Sequence, residues 1–259
     1  MPFILIVTNN DNIDTCFDKF FSYANDQYQH ASMIDFHEFH VKWRSSDWRP
    51  VTNGIKTHGP QLEGITSLEF LVSPTTTIPS SVDMQDQFAL MTLPYLLPSL
   101  RELNLTNSFG ACRITDGFFE NCPYLENFTY SASTRRGHKK WLYLSFVGSA
   151  MKAAHNLKDL NIDDLRLFIH DTDYLDLADQ RRYLLSECGS KVLERVSMRN
   201  TKMYVDDFPG PSETFDMPHN LLIEFIRNAP TTLRWFRSNL TAANIEIVQH
   251  ERPEIEFVS

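Results

Sequence analysis

Between Leu97 and Tyr130 the chain runs twice through one pattern of apolar spacing. Leu97, Leu100, Leu103 and Leu105 recur three, three and two residues apart, and Cys122, Leu125, Phe128 and Tyr130 repeat those intervals. A spacing of three suits a helix or turn and a spacing of two suits a strand, so each copy predicts a chain entering a short strand. The offset from Leu103 to Phe128 is 25 residues. A period of that size is the signature of architectures in which similar strand-and-helix units stack on one another, because one such unit cannot bury its apolar face alone.

The second copy opens with Cys122-Pro123, continues through Leu125, Phe128 and Tyr130, and is preceded by Ile114-Thr115-Asp116. These residues resemble the leucine-rich repeat family, in particular its cysteine-containing branch, the ribonuclease-inhibitor-like repeats that often accompany an F-box. The family pattern extends to Met1/Ile4/Ile6, Phe36/Phe39/Val41, Ile65/Leu68/Phe70, Leu157/Leu160/Ile162, Leu193/Val196/Met198, Leu233/Phe236/Ser238 and a terminal Ile255/Phe257. The resemblance implies an α/β fold, a right-handed solenoid shaped as an arc or horseshoe, with a parallel sheet on the concave side and helices on the convex side. One domain would span residues 1–259, with divergent repeats in 1–60.

Segments that read as helices lie between the matches and end in polar or Pro-containing turns: Met84 to Leu97, Trp141 to Ala154, Tyr174 to Cys188, Leu221 to Ala229 and Ala243 to Gln249. Five positions after the strand anchors stand Ser73, Ser108, Ser133, Thr201 and Thr241, residues suited to bonding backbone groups at a turn, while Arg44 and Leu165 break the series. Anchor spacings from Ile4 to Ile255 are 35, 29, 35, 25, 32, 36, 40 and 19, so repeat lengths are irregular. The excess falls in loops rich in Ser, Thr, Pro and Asp: Ser73 to Ser81, Arg135 to Lys140 and an insertion over 206–220. Phe3, Leu5 and Val7 would put apolar side chains on a face expected to be polar, so the first strand needs a cover or an upstream cap.

Charge limits the partners. With 24 Lys and Arg against 33 Asp and Glu the net charge is −9, which disfavours general binding to nucleic acid. No apolar run approaches a membrane span, and Phe3 to Val7 is too short for a signal peptide and lacks a basic leader, so a cytoplasmic or nuclear chain without a membrane partner is expected. Cys16, Cys112, Cys122 and Cys188 include no Cys-x-x-Cys pair and are too sparse for a disulfide scaffold. Asn104, Asn127 and Asn239 head glycosylation sequons, read as chance matches without a secretory signal.

If the anchors point inward, residues one before, one after and three after each anchor point outward. On the later strands these are Glu102, Asn104 and Thr106; Asn127, Thr129 and Ser131; Asp159, Asn161 and Asp163; Arg195, Ser197 and Arg199; Trp235, Arg237 and Asn239; and Glu254, Glu256 and Val258. A slip of one residue would expose the apolar set instead. Asp159, Asp163, Arg195, Arg199, Trp235 and Arg237 are the candidate partner-binding residues, since Arg and Trp are frequent interface anchors. The same charges have a second reading as cross-strand ladders, Asp159 with Arg195, Asp163 with Arg199 and Arg237 with Glu256.

Several motifs resemble chemistry without completing it. His37 and His40 are three apart, not four as a zinc-protease helix requires. The seven Asp between Asp159 and Asp179 lack the ligand alternation and Gly of a calcium loop. Arg135, Arg136, Lys139 and Lys140 read as a solvated loop or a nuclear-import element. Cys122 and Cys188 read as small core residues, and Ser149 lacks the second Gly of a nucleophile elbow. No enzyme, cofactor or metal site is expected. The resemblance implies non-catalytic recognition of another protein, with a role as substrate receptor beside a ubiquitin-ligase adaptor as an alternative. No F-box is recognisable in residues 1–60, and a divergent or partial gene product without a dedicated partner is a third possibility.

Overall fold

Strands of three residues are too short to be stable alone, and in this chain all but those at a sheet edge are held by register with neighbours on both sides. The computed structural model describes residues 3–7, 39–43, 65–70, 99–104, 119–131, 141–143, 153–169, 190–205 and 213–259. Its strands are β1 (Phe3–Val7), β2 (Phe39–Trp43), β3 (Ile65–Phe70), β4 (Glu102–Asn104), β5 (Asn127–Thr129), β6 (Trp141–Tyr143), β7 (Asp159–Asn161), β8 (Arg166–Ile169), β9 (Arg195–Ser197), β10 (Lys202–Val205), β11 (Glu213–Asp216), β12 (Trp235–Arg237) and β13 (Glu256–Val258). Two helices stand among the described residues, α1 (His219–Asn228) and α2 (Ala242–Glu251). The architecture is mixed α/β, built on a large parallel sheet.

That sheet has nine strands in the order β1-β2-β3-β4-β5-β7-β9-β12-β13, each parallel to its neighbours. Leu103, Phe128, Leu160, Val196 and Phe236 occupy one register position across β4, β5, β7, β9 and β12, and all five are buried. Three residues before each of them sits a buried leucine: Leu100, Leu125, Leu157, Leu193 and Leu233. Tyr130, Ile162 and Met198 add a third row two residues after the central one. The spacing of three then two therefore places successive apolar residues in successive layers of one core. Backbone bonds continue past the strand ends, with the Ile162 amide donating to Ser197 O at 2.8 Å and the Met198 amide to Arg237 O at 2.9 Å.

The register corrects the anchors at both ends. Phe257, not Ile255, is the partner of Phe236; Ile255 is buried two residues earlier. At the other end the aligned set is Leu5, Val41 and Leu68, with an irregularity between Phe39 and His40, so Ile4 and Phe39 are displaced from the central row.

A second sheet was not anticipated. Its order is β11-β10-β8-β6, parallel except for the antiparallel pair of β10 and β11. Trp141–Tyr143 is thus a strand where a helix was expected, and the insertion over 206–220 contains β11 and the start of α1. Leu167 and Met203, buried on β8 and β10, explain the arrangement, because they carry the core outward after β7 and β9. The helices expected over Met84 to Leu97 and Tyr174 to Cys188, and the loops over Ser73 to Ser81 and Arg135 to Lys140, lie outside the described residues.

The two described helices match their expected positions to within a few residues. α1 buries Leu221, Leu222, Phe225 and Ile226, a stripe with helical periodicity, and stops before Pro230. α2 starts at Thr241, whose hydroxyl accepts from the Asn244 amide at 3.3 Å. The Arg252 guanidinium closes the far end of α1, donating to Ile226 O at 2.7 Å, Ala229 O at 3.1 Å and Pro230 O at 3.0 Å. Those carbonyls have no intrahelical donor, and a cation there also opposes the helix dipole. Arg227 and Glu251 join the helices by two bonds of 2.7 and 2.6 Å. No helix among the described residues is long and apolar enough to cross a membrane.

Phe236 is fully buried, with Phe225 at 5.7 Å and Phe257 at 6.3 Å between ring centroids. Phe236→Ala is expected to cost about 3–5 kcal/mol, read as a fall in the urea midpoint. Ile247→Ala, on the exposed side of α2, should stay within about 0.5 kcal/mol of wild type.

Candidate functional site

On the sheet face opposite the buried column, polar residues form two rows. The first is Glu102, Asn127, Asp159, Arg195, Trp235 and Glu256, each in register with the next. Asn127 Nδ2 donates to Glu102 Oε1 at 3.1 Å. Arg195 Nε meets Asp159 Oδ1 at 3.3 Å, and its guanidinium lies over the Trp235 ring at 4.5 Å. Trp235 is therefore half-buried, with a flat cation against its face rather than water. Burial raises the Asp159 carboxyl above its usual value, opposed by the charge of Arg195.

The second row, Asn104, Thr129, Asn161, Ser197, Arg237 and Val258, leads to a buried acid. Asp163 is 7% exposed, in a position expected to face solvent. The Ser197 hydroxyl donates to its Oδ1 at 2.6 Å and the Arg199 amide to the same atom at 2.7 Å, while Arg237 Nη2 approaches Oδ2 at 3.3 Å. A carboxylate can leave water when charge and donors surround it in this way. The expected ladder is corrected at two places. Arg199 holds Asp163 through its backbone and not its guanidinium, and Arg237 reaches Asp163 two strands away and not Glu256. The reason is register, which sets Trp235 beside Glu256 and Arg237 beside Val258. Arg237 Nε is buried without a hydrogen-bond partner.

The turns after β7 and β9 fix this geometry. Asp164 and Asn200, four residues after Leu160 and Val196, have φ of 58° and 55°, a left-handed conformation that Asp and Asn tolerate better than most residues. Asn200 Nδ2 donates to Asp164 Oδ1 at 3.1 Å, and the Asn200 amide to Asn239 Oδ1 at 2.9 Å. Thr201, buried just beyond, donates to Ile162 O at 2.7 Å, the turn role expected of it. On the entry side, Ser190 Oγ donates to Leu157 O at 2.6 Å and Thr232 Oγ1 to Leu193 O at 2.8 Å.

The structure thus brings Asp159, Arg195 and Trp235 together in one contact chain and Asp163 with Arg237 in another, leaving only the Arg199 side chain apart. Ser197 stands in the outward row read from the sequence, but its bond to Asp163 and the part of Asn200 at the turn were missed there. An Asx residue four positions past Leu103, Leu160 and Val196, as Asn107, Asp164 and Asn200, was the available signal. Cys122 is buried as expected, and burial pushes its thiol up to about 12, so it is no nucleophile at neutral pH. No cluster of three metal-ligating side chains exists among the described residues. His37, Cys188, Ser149 and Arg135 to Lys140 lie outside them. No protein-family model matches the chain, and no curated protein matches it.

Asp163→Ala removes the acceptor for two donors and the partner of a half-buried guanidinium, with an expected cost of about 2–4 kcal/mol. Arg199→Ala should remain within about 0.5 kcal/mol of wild type, since its backbone amide is kept. Denaturant midpoints check both. A third expectation concerns acid. Bonds from Lys158 at 2.7 Å and Arg101 at 2.9 Å lower the Glu126 carboxyl below 4.5. Its contribution to stability is present above 4.5 and is lost as pH falls through the lowered folded value. Asp159 acts oppositely, favouring the fold below 3.8 and losing that effect as pH rises through its raised value. Glu126→Gln is expected to flatten the acid limb of the stability profile, and Asp159→Asn to steepen it.

Proposed function

We propose that the chain is a non-catalytic recognition module that holds another protein on the exposed face of its parallel sheet. We read the fold more finely as a leucine-rich-repeat solenoid with that face as its concave side. Support for the repeat reading comes from the 25-residue offset of Leu103 and Phe128 and from their pairing in register with Leu160, Val196 and Phe236. The observation that carries the function is the Arg195 guanidinium stacked on Trp235 at 4.5 Å, on a sheet face lined by polar side chains.

Such a pair suits binding for a physical reason. Stacking restrains a long flexible cation, so less side-chain entropy is lost when a partner docks against it. Trp and Arg are also the residue types that dominate interface energetics. Asp163 and Arg237 support the same surface from below, because their contact ties the end of β7 to β12 across β9.

The test is quantitative capture from cell extract by the purified chain, followed by direct binding measurement with the protein recovered. Trp235→Ala and Arg195→Glu should each weaken that interaction at least about tenfold, with thermal unfolding of both variants close to wild type. Equal binding by folded variants would show that this face is not the docking surface.

A further inference from the structure

We propose that the segment docked on β9 and β12 is an extended, acidic stretch whose carboxylates take the open guanidinium edges of Arg195 and Arg199. This rests on the reading of the sheet face as a docking surface, and it adds the chemistry of the partner.

The assignment follows from where the cations on or just after the strands of this face, with Lys158 just before β7, already spend their charge. Arg237 meets Asp163 at 3.3 Å, Lys202 meets Asp216 at 3.2 Å, and Lys158 meets Glu126 at 2.7 Å. Two guanidinium groups differ. Arg195, with 53% of its side chain exposed, meets Asp159 most closely through Nε, at 3.3 Å, and rests its flat face on Trp235. Its Nη edge is therefore oriented, and it makes no hydrogen bond among the described residues. Arg199 is exposed, and among the described residues no acid pairs with its side chain; only its backbone is used, at Asp163. In a chain of net charge −9 these two open ends are local exceptions rather than part of a basic surface.

A guanidinium edge presents two parallel N–H donors, a geometry that matches a carboxylate. Arg195 stands on β9 and Arg199 in the turn that follows it, four residues on at the same end of the sheet, so a ligand that meets both carries two acids a few residues apart, as at positions i and i+4. Trp235 lies in register with Arg195, so an apolar side chain near the acid that takes Arg195 gains contact with the ring. The nearby acids limit the orientation. Asp159, Asp163 and Asp164 are already engaged, but Glu256 stands exposed beyond Trp235 and repels further negative charge on that side. The acidic end of the ligand thus lies over β9, and the end over β13 is neutral or basic.

A fluorescein-labelled peptide Ser-Glu-Thr-Leu-Thr-Glu-Ser, with versions carrying Gln or Lys in place of both Glu, provides the probe by fluorescence anisotropy on the full chain. The Glu peptide should bind at least about tenfold tighter than the Gln peptide, and the Lys peptide weakest. Arg199→Gln, which breaks no side-chain hydrogen bond or ion pair among the described residues, should weaken the Glu peptide about tenfold, and adding Arg195→Gln should weaken it further. Equal binding of the Glu and Gln peptides, no binding of the Glu peptide, or indifference to Arg199→Gln overturns the proposal. If the Glu peptide fails while Trp235→Ala still abolishes binding of the captured protein, the docking face stands and only its acidic preference falls. If Trp235→Ala leaves that protein bound, the face itself was misread.

Discussion

Parallel register between very short strands is the constraint on which everything else in this molecule depends. A three-residue strand presents one side chain to one face and two to the other, so its central residue must be apolar and must meet another central residue at each side. Leu103, Phe128, Leu160, Val196 and Phe236 satisfy that condition without interruption. Because neighbouring strands are parallel, each is entered from the same end of the sheet. The leucines three residues upstream, from Leu100 to Leu233, anchor the chain where it turns into the strand. Shifting one strand by a residue would replace an apolar side chain in the column by Asp159, Arg195 or Trp235, and this cost is what keeps the polar rows facing outward.

Outward does not mean exposed, and the distinction shapes the candidate site. Ser131, Asp163 and Ser197 lie on positions that alternate with the core yet are buried, and Ser67 on β3 behaves the same way. A serine leaves room above the sheet, and after β9 that room is filled by the Asp163 carboxylate bonded to Ser197. The acid in turn draws Arg237 across the strand between them. One small residue at the end of β9 therefore decides that two of the six candidate side chains serve the fold, while Arg195 and Arg199 lie on either side of it.

Much of this was legible in the residues and some of it could not be. Leu103 and Phe128 follow from spacing, the rest of the central column from the family pattern that the spacing resembles, and the two described helices from segments that end in polar or Pro-containing turns. The terminal row was misplaced by two residues because Ile255 and Phe257 both fit the pattern, and only pairing with Phe236 separates them. Trp141–Tyr143, Arg166–Ile169, Lys202–Val205 and Glu213–Asp216 are four residues or fewer, too short for periodicity to tell strand from helix, and they become a sheet only because β7 and β9 set them side by side. The Asp163 contact was hidden for a related reason. Row counting assumes an extended chain, whereas the left-handed turns at Asp164 and Asn200 fold the chain back immediately after the strand and carry Asp163 inward.

The contrast between Asp163 and Asp159 bears on what a partner could gain. Asp163 has its lone pairs taken by a hydroxyl, an amide and a guanidinium, so a ligand would have to break an arrangement already complete. Asp159 is held by one contact of 3.3 Å, and burial raises its carboxyl rather than stabilising its charge. An incoming carboxylate shares Arg195, taking its Nη edge while Asp159 stays at Nε, and so avoids the cost of breaking a well-formed buried pair. The guanidinium keeps its place on Trp235 throughout, so the surface gains a charge partner without changing its shape.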